Sequence, residues 1–304
     1  MGTNQSKSNL EIENGVLKRL RDRRKYDFDF DSPVVPQQVK TIGLHVFQSC
    51  QMRSIELPTT LTCIESHAFH GCERLTSIVL PDCLTSIGSN SFEDCCRITS
   101  LTLPSSVTFL GSHAFNRCLR LASLVLPKGL TTLGERAFAD CKDLTSLIIP
   151  DTVTNISRGS FSGCSGITSL TLPDTVTCIE LMAFSDCSRL STLTLPSSLT
   201  VIGPGAFNGC SGLKYLSLPS KLCEVGFNAF NKCFPDFIDV SPYASRVFIV
   251  WAVGNSRKRN NWELTTLKHC HTILKLITTW AFGGRDLSSL ARSLHLPLHF
   301  HQLI

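Results

Sequence analysis

The sequence of 304 residues is poor in charge, in aromatic side chains other than phenylalanine, and in long apolar runs. Charged residues make up 17% of the chain, and Trp and Tyr occur three times each. Because 42% of the residues are hydrophobic, this composition excludes a disordered chain. The longest apolar run, 247–253, is too short to cross a bilayer of about 30 Å. The first thirty residues hold no comparable run, so we expect no cleavable secretory signal.

Charge is distributed unevenly along the chain. Residues 1–35, 36–240 and 241–304 carry net charges of +1, −2 and +6. The middle section therefore lacks the overall basic charge typical of proteins that bind nucleic acids. We expect no nucleic-acid partner, and we expect any basic contact surface to lie near the ends of the chain.

The first 25 residues form a polar and basic segment with a candidate lipidation site. Gly2, followed by Ser6, fits the N-myristoylation pattern. One myristoyl chain binds membranes only marginally and needs a second signal, such as a basic cluster. The candidate residues for contact with an anionic membrane are Lys18, Arg19, Arg21, Arg23, Arg24 and Lys25. This hypothesis places the protein inside the cell, peripheral on the cytoplasmic face of a membrane; the alternatives are a chance match and a solvated helix face.

Proline, phenylalanine and cysteine recur in phase through the middle of the chain. Prolines stand at 58, 81, 104, 127, 150, 173, 196 and 219, with Pro36 one residue closer. Phenylalanines stand at 47, 69, 92, 115, 138, 161, 184, 207 and 230, and cysteines at 50, 72, 95, 118, 141, 164, 187, 210 and 233. A fixed period of 23 residues over nine units is typical of a solenoid.

The unit at 98–118 illustrates the local physics. Leu101 and Leu103 alternate with polar residues, which predicts a short strand that ends at Pro104. Val107 and Leu110 predict a second extended piece with inward side chains. A short helical turn is expected from the spacing of the Ala, Phe and Cys that follow. Since one unit alone cannot bury these side chains, neighbouring units must stack.

These units resemble the BspA-type, or Treponema-pallidum-type, leucine-rich repeat family. The shared pattern reads Leu-Thr-Ser-Leu-x-Leu-Pro, then Val/Leu-Thr-x-Ile/Leu-Gly, then Ala/Ser-Phe-x-x-Cys. The resemblance covers residues 36 to about 233. It implies a leucine-rich repeat solenoid of about nine units with short parallel strands. Because the open front of a solenoid must be covered, the alternating apolar and charged residues 27–31 predict an N-terminal cap at Phe28 and Phe30, and we expect solenoid and cap to occupy residues 26–240. The resemblance also implies adhesion or protein binding, often at cell surfaces, without a catalytic apparatus.

Residues 241–304 depart from the repeat. Apolar residues at helical spacing predict one helix that begins near Asn260 and ends at Gly283-Gly284, and a second over 286–295. We therefore expect a helical C-terminal cap or docking module.

The chemistry-bearing residues indicate neither a catalytic centre nor a metal or cofactor site. Buried free thiols are favoured over disulfides for the repeated cysteines, because their Cβ vectors are expected to run parallel. The sequence contains no Cys-x-x-Cys pair and no Gly-x-Ser-x-Gly turn. The five histidines between 269 and 301 lack the spacing of a helical metal site, which makes a metal enzyme a distant alternative.

The outward positions of the Leu-x-Leu strands predict a nearly uncharged strip. Its candidate partner-binding residues are Thr102, Val125, Ile148, Thr171, Thr194 and Tyr215. The sheets of solenoids are used as extended binding surfaces. The alternative is that β-branched residues occur here only because they are favoured in exposed strands. The expected function is a non-enzymatic protein-interaction scaffold with an unknown partner. The alternative is a cell-surface adhesin or antigen, which glycosylation at Asn155 and oxidised cysteines would indicate.

Overall fold

Each repeat forms two short strands and a run of tight turns. The computed structural model describes residues 10–20, 32–233, 235 and 237–240. After the pair β1 (Leu10–Glu13) and β2 (Val16–Leu20), strands from successive units line up side by side as two parallel ladders. The solenoid predicted from the 23-residue period is confirmed.

The first ladder is built from the Leu-x-Leu segments. Its strands are β6 (Ser100–Thr102), β8 (Ser123–Val125), β10 (Ser146–Ile148), β12 (Ser169–Thr171), β14 (Thr192–Thr194), β16 (Tyr215–Leu218) and β18 (Phe237–Val240). Equivalent residues pair in register, as Leu101 does with Leu124. Hydrogen bonding divides this ladder into the groups β6–β8–β10, β12–β14 and β16–β18.

The second ladder is built from the extended piece after each proline. Its strands are β3 (Thr41–Ile42), β4 (Cys63–Ile64), β5 (Ser86–Ile87), β7 (Phe109–Leu110), β9 (Thr132–Leu133), β11 (Asn155–Ile156), β13 (Cys178–Ile179), β15 (Val201–Ile202) and β17 (Glu224–Val225). It is continuous from β2 to β9 and again from β11 to β17. Within each unit a turn that begins at the proline connects the two ladders. A hydrogen bond closes this turn, as when the Val107 amide donates to the Pro104 carbonyl at 3.0 Å.

The short helical turn expected after the second strand is wrong; the structure has consecutive tight turns there. His113 and Arg117 adopt φ values of 59° and 60°, which no right-handed helix accommodates. The amides of Ala114 and Cys118 donate to carbonyls three residues earlier in the chain. Those of Phe115 and Arg117 donate instead to carbonyls of the next unit. This segment therefore adds a third set of hydrogen bonds between units, which we call the turn ladder.

The core is dominated by a stack of phenylalanine rings. From Phe69 to Phe207 these side chains are fully buried. Neighbouring ring centroids lie 4.9–5.8 Å apart with nearly parallel planes. Each ring therefore packs on the same residue of the next unit, so every unit depends on its neighbours for burial.

From Cys72 to Cys233 the repeated cysteines are buried free thiols, as the sequence predicted, whereas Cys50 in the first unit is half-buried. The sulfur atoms of Cys72 to Cys233 also link neighbouring units, since each donates to the phenylalanine carbonyl of the preceding unit. The Sγ–O distances are 3.3 Å from Cys95 to Phe69 and 3.1 Å from Cys164 to Phe138. Cysteine thus provides a weak donor inside the core as well as volume.

A row of hydroxyl groups stands where common leucine-rich repeats carry asparagine or cysteine. The Thr152 hydroxyl donates to the Leu130 carbonyl at 2.6 Å, and the Ser198 hydroxyl donates to the Val176 carbonyl at 2.8 Å. In the five units with Thr60, Ser106, Thr152, Thr175 or Ser198, this small side chain donates to a carbonyl of the preceding unit. Such a donor satisfies a polar backbone group where irregular backbone is buried.

The front of the solenoid is covered by a hairpin. Strands β1 and β2 pair antiparallel around Asn14 and Gly15, which adopt the positive φ values of a tight hairpin turn. Strand β2 then pairs with β3, and the fully buried Leu17 packs against the first unit. The hairpin therefore forms a cap from residues expected to belong to the polar N-terminal segment. The cap predicted at Phe28 and Phe30, and the helices predicted within 241–304, lie outside the described residues.

Candidate protein-interaction surface

The strip predicted from the outward strand positions is exposed along the first ladder. Thr102, Val125 and Ile148 are consecutive on β6, β8 and β10 and pair directly with one another. Thr171 and Thr194 form a second group on β12 and β14. The structure therefore brings the predicted residues onto one face, in hydrogen-bonded groups rather than one continuous sheet.

Apolar exposure is concentrated in part of this strip. Val79, Val125 and Ile148 are 82%, 53% and 75% exposed, although each belongs to a residue type that is commonly buried. Their Cβ-branched side chains are rigid, so contact with another surface would cost little side-chain entropy. The strip thus offers an ordered, uncharged contact area.

Tyr215 provides a larger contact group on β16. Its side chain is 47% exposed, and the strand pairs in register with β18. Because tyrosine combines a large apolar ring with a hydroxyl group, it is among the residue types that contribute most at interfaces. Tyr215 is therefore the largest contact group among the predicted strip residues.

Two residues of the predicted basic run lie on the cap hairpin. Lys18 and Arg19 are exposed on β2, and the Arg19 guanidinium donates to the Glu11 carboxylate at 2.7 Å. This ion pair partly neutralises the surface proposed to face a membrane. Gly2 and the remaining basic residues of the run (Arg21, Arg23, Arg24 and Lys25) lie outside the described residues.

The repeated thiols do not form a reactive site. Burial raises the pKa of the Cys118 and Cys141 thiols, which disfavours the nucleophilic thiolate. In the described part of the chain, no three His, Cys, Asp or Glu side chains are arranged to hold a metal ion.

The sequence profile of the BspA type leucine-rich repeat region matches residues 25–145 and 131–242, with six copies. These ranges include most of the chain. The chain belongs to the BspA-type leucine-rich repeat family.

Two solved structures resemble this BspA-type chain. A leucine-rich repeat protein from Bacteroides ovatus is 28% identical over 71% of this chain and 58% of its own, with a TM-score of 0.64. The leucine-rich repeat protein of T. pallidum is 30% identical over 58% of this chain and 82% of its own, with a TM-score of 0.53. This chain therefore spans little more than half of the B. ovatus protein. No curated protein sequence matches it.

Sequence reasoning missed one feature of this BspA-type surface. A shallow cleft of about 270 Å³ is lined by Glu73, Arg74, Cys96, Arg97, Leu119 and Arg120. The repeat period carries the signal that would have revealed it, because arginine occupies the same position in three consecutive units. Over residues 10–20, 32–233, 235 and 237–240, no helix has the length and apolar character needed to span a bilayer.

Proposed function

We propose that this chain is a non-enzymatic protein-interaction scaffold whose first ladder presents the binding strip. The observation that carries the proposal is the exposure of Val125, Ile148 and Tyr215 at the same outward position of the first-ladder strands. Membership of a repeat family whose solenoids present extended surfaces supports the same function. No residue is assigned a catalytic role.

A partner can be identified by placing a photo-crosslinking amino acid at Thr171, in the middle of the strip, in protein expressed in its own host. The same amino acid at the exposed Arg136, on the turn ladder, provides the positional control. A partner crosslinked from Thr171 and not from Arg136 is then purified for affinity measurements.

The decisive variant is Tyr215→Ala. We expect it to weaken binding of that purified partner about tenfold or more, as truncation of an interface aromatic typically does. Phe227→Ala is the matched control, because Phe227 is an aromatic side chain of similar exposure outside the strip. Equal affinities for the wild type and Tyr215→Ala would contradict the role assigned to Tyr215.

Membrane tethering is a separate part of the proposal. It combines a myristoyl group on Gly2 with the basic run 18–25, of which Lys18 and Arg19 are exposed. Intact mass spectrometry of the N-terminal peptide from native protein tests it. Loss of Met1 with a myristoyl mass on Gly2 supports tethering, and an unmodified terminus contradicts it.

The alternative function is a cell-surface adhesin or antigen of the BspA type. Asn155 is the described residue proposed for glycosylation. In the structure its amide nitrogen, the atom that would carry a glycan, donates a hydrogen bond to the Glu180 carboxylate at 2.5 Å. A glycan on Asn155 and oxidised thiols in native protein would favour the adhesin. A reduced, unglycosylated protein would favour the scaffold.

A further inference from the structure

Three arginines occupy the same position in consecutive units. Arg74, Arg97 and Arg120 each follow the repeated cysteine by two residues, and all three are exposed. The phenylalanine rings of these units lie 4.9 and 5.1 Å apart, so the arginine backbones are separated by about one strand spacing. We call this set the arginine row.

The arginine row is not neutralised by direct pairing, although Glu73 lines the same cleft and Asp143 takes the equivalent position in the next unit. Across the described residues, the structure gives none of its guanidinium groups a hydrogen bond or an ion pair. By contrast, the neighbouring Arg117 pairs with Asp94 at 3.1 Å. Like charges repel at this spacing, and the repulsion is relieved when anionic groups approach. The net charge of −2 for residues 36–240 hides this local concentration of positive charge.

Along the chain, the row precedes the most apolar outward strand positions by a constant offset. Arg74 precedes Val79 by five residues, and the same offset joins Arg97 to Thr102 and Arg120 to Val125. The arginines therefore stand where each chain segment enters the first ladder. Leu119 adds an aliphatic side chain to the cleft between them.

We propose that the arginine row binds an extended acidic segment of a protein partner. This inference rests on the proposed function, since it names the chemistry of a partner that the scaffold would recognise. Carboxylates of the segment would pair with the guanidinium groups, while its remaining side chains contact the strip beside Val79 and Val125. Guanidinium groups suit this task because they bind carboxylates through two parallel hydrogen bonds.

The geometry favours a segment over smaller or flatter anions. The row extends over about 10 Å, which a single phosphate cannot span but an extended chain with about 3.3 Å per residue can. Glu73 lies at the edge of the cleft, so a uniformly anionic membrane surface would meet repulsion there. A segment with acidic residues at intervals avoids this repulsion.

Fluorescence anisotropy with a labelled twelve-residue peptide of alternating Glu and Thr tests the proposal on the full chain. We expect the triple variant R74Q/R97Q/R120Q to bind it about tenfold or more weakly, because three exposed charge pairs are lost. R189Q is the matched control: Arg189 has the same repeat position, but Gly166 and Gly212 replace arginine in the neighbouring units. It should change affinity less than about twofold.

Several outcomes would overturn the proposal. These are equal binding of the peptide by wild type and triple variant, equal binding of a Gln–Thr peptide, and the absence of peptide binding at low salt. Full competition by millimolar pyrophosphate would assign the row to free oxyanions. Row-dependent sedimentation with phosphatidylserine vesicles, without peptide binding, would assign it to a membrane.

A footprint provides a readout that is independent of affinity. Cys96 lines the cleft and is half-buried, whereas Cys223 is exposed elsewhere. Bound peptide should slow alkylation of Cys96 and leave Cys223 unchanged, as measured by peptide mass spectrometry. If the peptide does not bind but the crosslinked partner still requires Tyr215, only the proposal for the arginine row is rejected. If the peptide binds through the row but the partner does not require Tyr215, only the role of Tyr215 is rejected.

Discussion

The solenoid has two regions that share one repeat but differ in how their strands are joined. In the N-terminal region, residues 32–150, the second ladder is unbroken from β3 to β9. It resumes at β11 in the C-terminal region, residues 151–233, after an interruption between Leu133 and Ile156. The first ladder is also interrupted nearby, between β10 and β12. Equal repeat length therefore does not guarantee equal hydrogen bonding.

We attribute the interruption of the second ladder to one side chain. At most other junctions a backbone amide donates to the equivalent carbonyl, as Gly111 does to Ile87 and Glu180 does to Ile156. At the boundary the Ser157 hydroxyl donates to the Leu133 carbonyl instead, at 2.6 Å. Serine competes in this way with backbone pairing. Glutamate at position 180 leaves the ladder intact, so the hydroxyl rather than side-chain volume explains the change.

The two regions remain connected through the turn ladder and the ring stack. The Phe138 amide donates to the Ser160 carbonyl at 2.9 Å across the boundary. The rings of Phe138 and Phe161 lie 5.8 Å apart, against 4.9–5.5 Å for the other pairs of the stack. Coupling between the regions thus depends on fewer interactions than coupling within either of them.

The largest effect is expected from removing a ring of the stack. Phe115→Ala and Phe161→Ala should each lower the free energy of unfolding by about 3–5 kcal/mol, because both side chains are fully buried. Since Phe161 lies at the boundary, its loss should also separate urea unfolding into two transitions, one for each region. Phe115→Ala is the matched control. Single transitions with equal midpoints for both variants would contradict the weaker coupling at the boundary.

At Gly111 the backbones of two neighbouring units in the N-terminal region approach closely, and a larger residue there would disrupt this contact. A Cβ atom there would lie 2.4 Å from the Ser89 backbone nitrogen and 2.6 Å from the Gly88 carbonyl carbon. Because these atoms belong to the rigid second ladder, Gly111→Ala should destabilise the protein by about 1–3 kcal/mol. Urea denaturation measures this loss. Gly129→Ala is a milder control, since its nearest atom would be 3.3 Å away.

The interruption itself can be tested by Ser157→Gly. Without the hydroxyl, the amide of residue 157 should donate to the Leu133 carbonyl and extend the ladder across the boundary. The change in stability should stay within about 1 kcal/mol, because one hydrogen bond replaces another. Hydrogen exchange should nevertheless slow at this amide. Unchanged exchange would show that the hydroxyl does not cause the interruption.

The smallest expected effect is a pH dependence confined to the N-terminal region. The ring of His67 stacks between those of His45 and His70, at centroid distances of 4.7 and 5.6 Å. Burial, followed by repulsion from these two histidines, lowers the pKa of His67, while Glu93 opposes the shift. A folded-state pKa below the unfolded value means that stability is fully present above about pH 6.5 and is lost as the pH falls.

Hydrogen exchange at pH 7 and pH 5 measures this loss. Lower protection factors at pH 5, meaning faster exchange relative to the intrinsic rate at that pH, are expected around the histidine stack. No such decrease is expected in the C-terminal region, where Gly159, Met182 and Gly205 occupy the equivalent left-handed positions. His67→Asn should remove the pH dependence, since asparagine tolerates a positive φ. His113→Asn, outside the stack, should retain it. Equal acid sensitivity in His67→Asn and wild type would contradict the assignment.

Most of the architecture could be predicted from spacing alone. Leucine alternation located the strands of the first ladder, and proline marked where they end. The phenylalanine and cysteine periods identified the core, because large apolar and thiol side chains that recur at one repeat position are the ones that stacking can bury. These predictions succeed because each residue faces its own equivalent in the next unit, so one sequence period defines one set of contacts.

The turns and the front cap could not be predicted in the same way. Ala114, Phe115 and Cys118 have helical spacing, yet the left-handed residues His113 and Arg117 prevent a helix. Amides in this segment donate to the next unit, and local spacing carries no information about that donor pattern. The polar residues 10–20 became a cap because Leu17 fills the exposed end of the core.

The candidate surface divides similarly between sequence and structure. The sequence by itself determined the repeat, the buried side chains and the outward strip from Thr102 to Tyr215. Only the tertiary structure decided which carbonyl each thiol and hydroxyl would reach, where the ladders stop, and that Arg74, Arg97 and Arg120 form no ion pair with described residues. The inward apolar positions can be read from the sequence, because residues that are buried in every unit recur with the period of the repeat. Hydrogen-bond partners and charge pairs depend on distances between different units, and these exist only once the units have stacked.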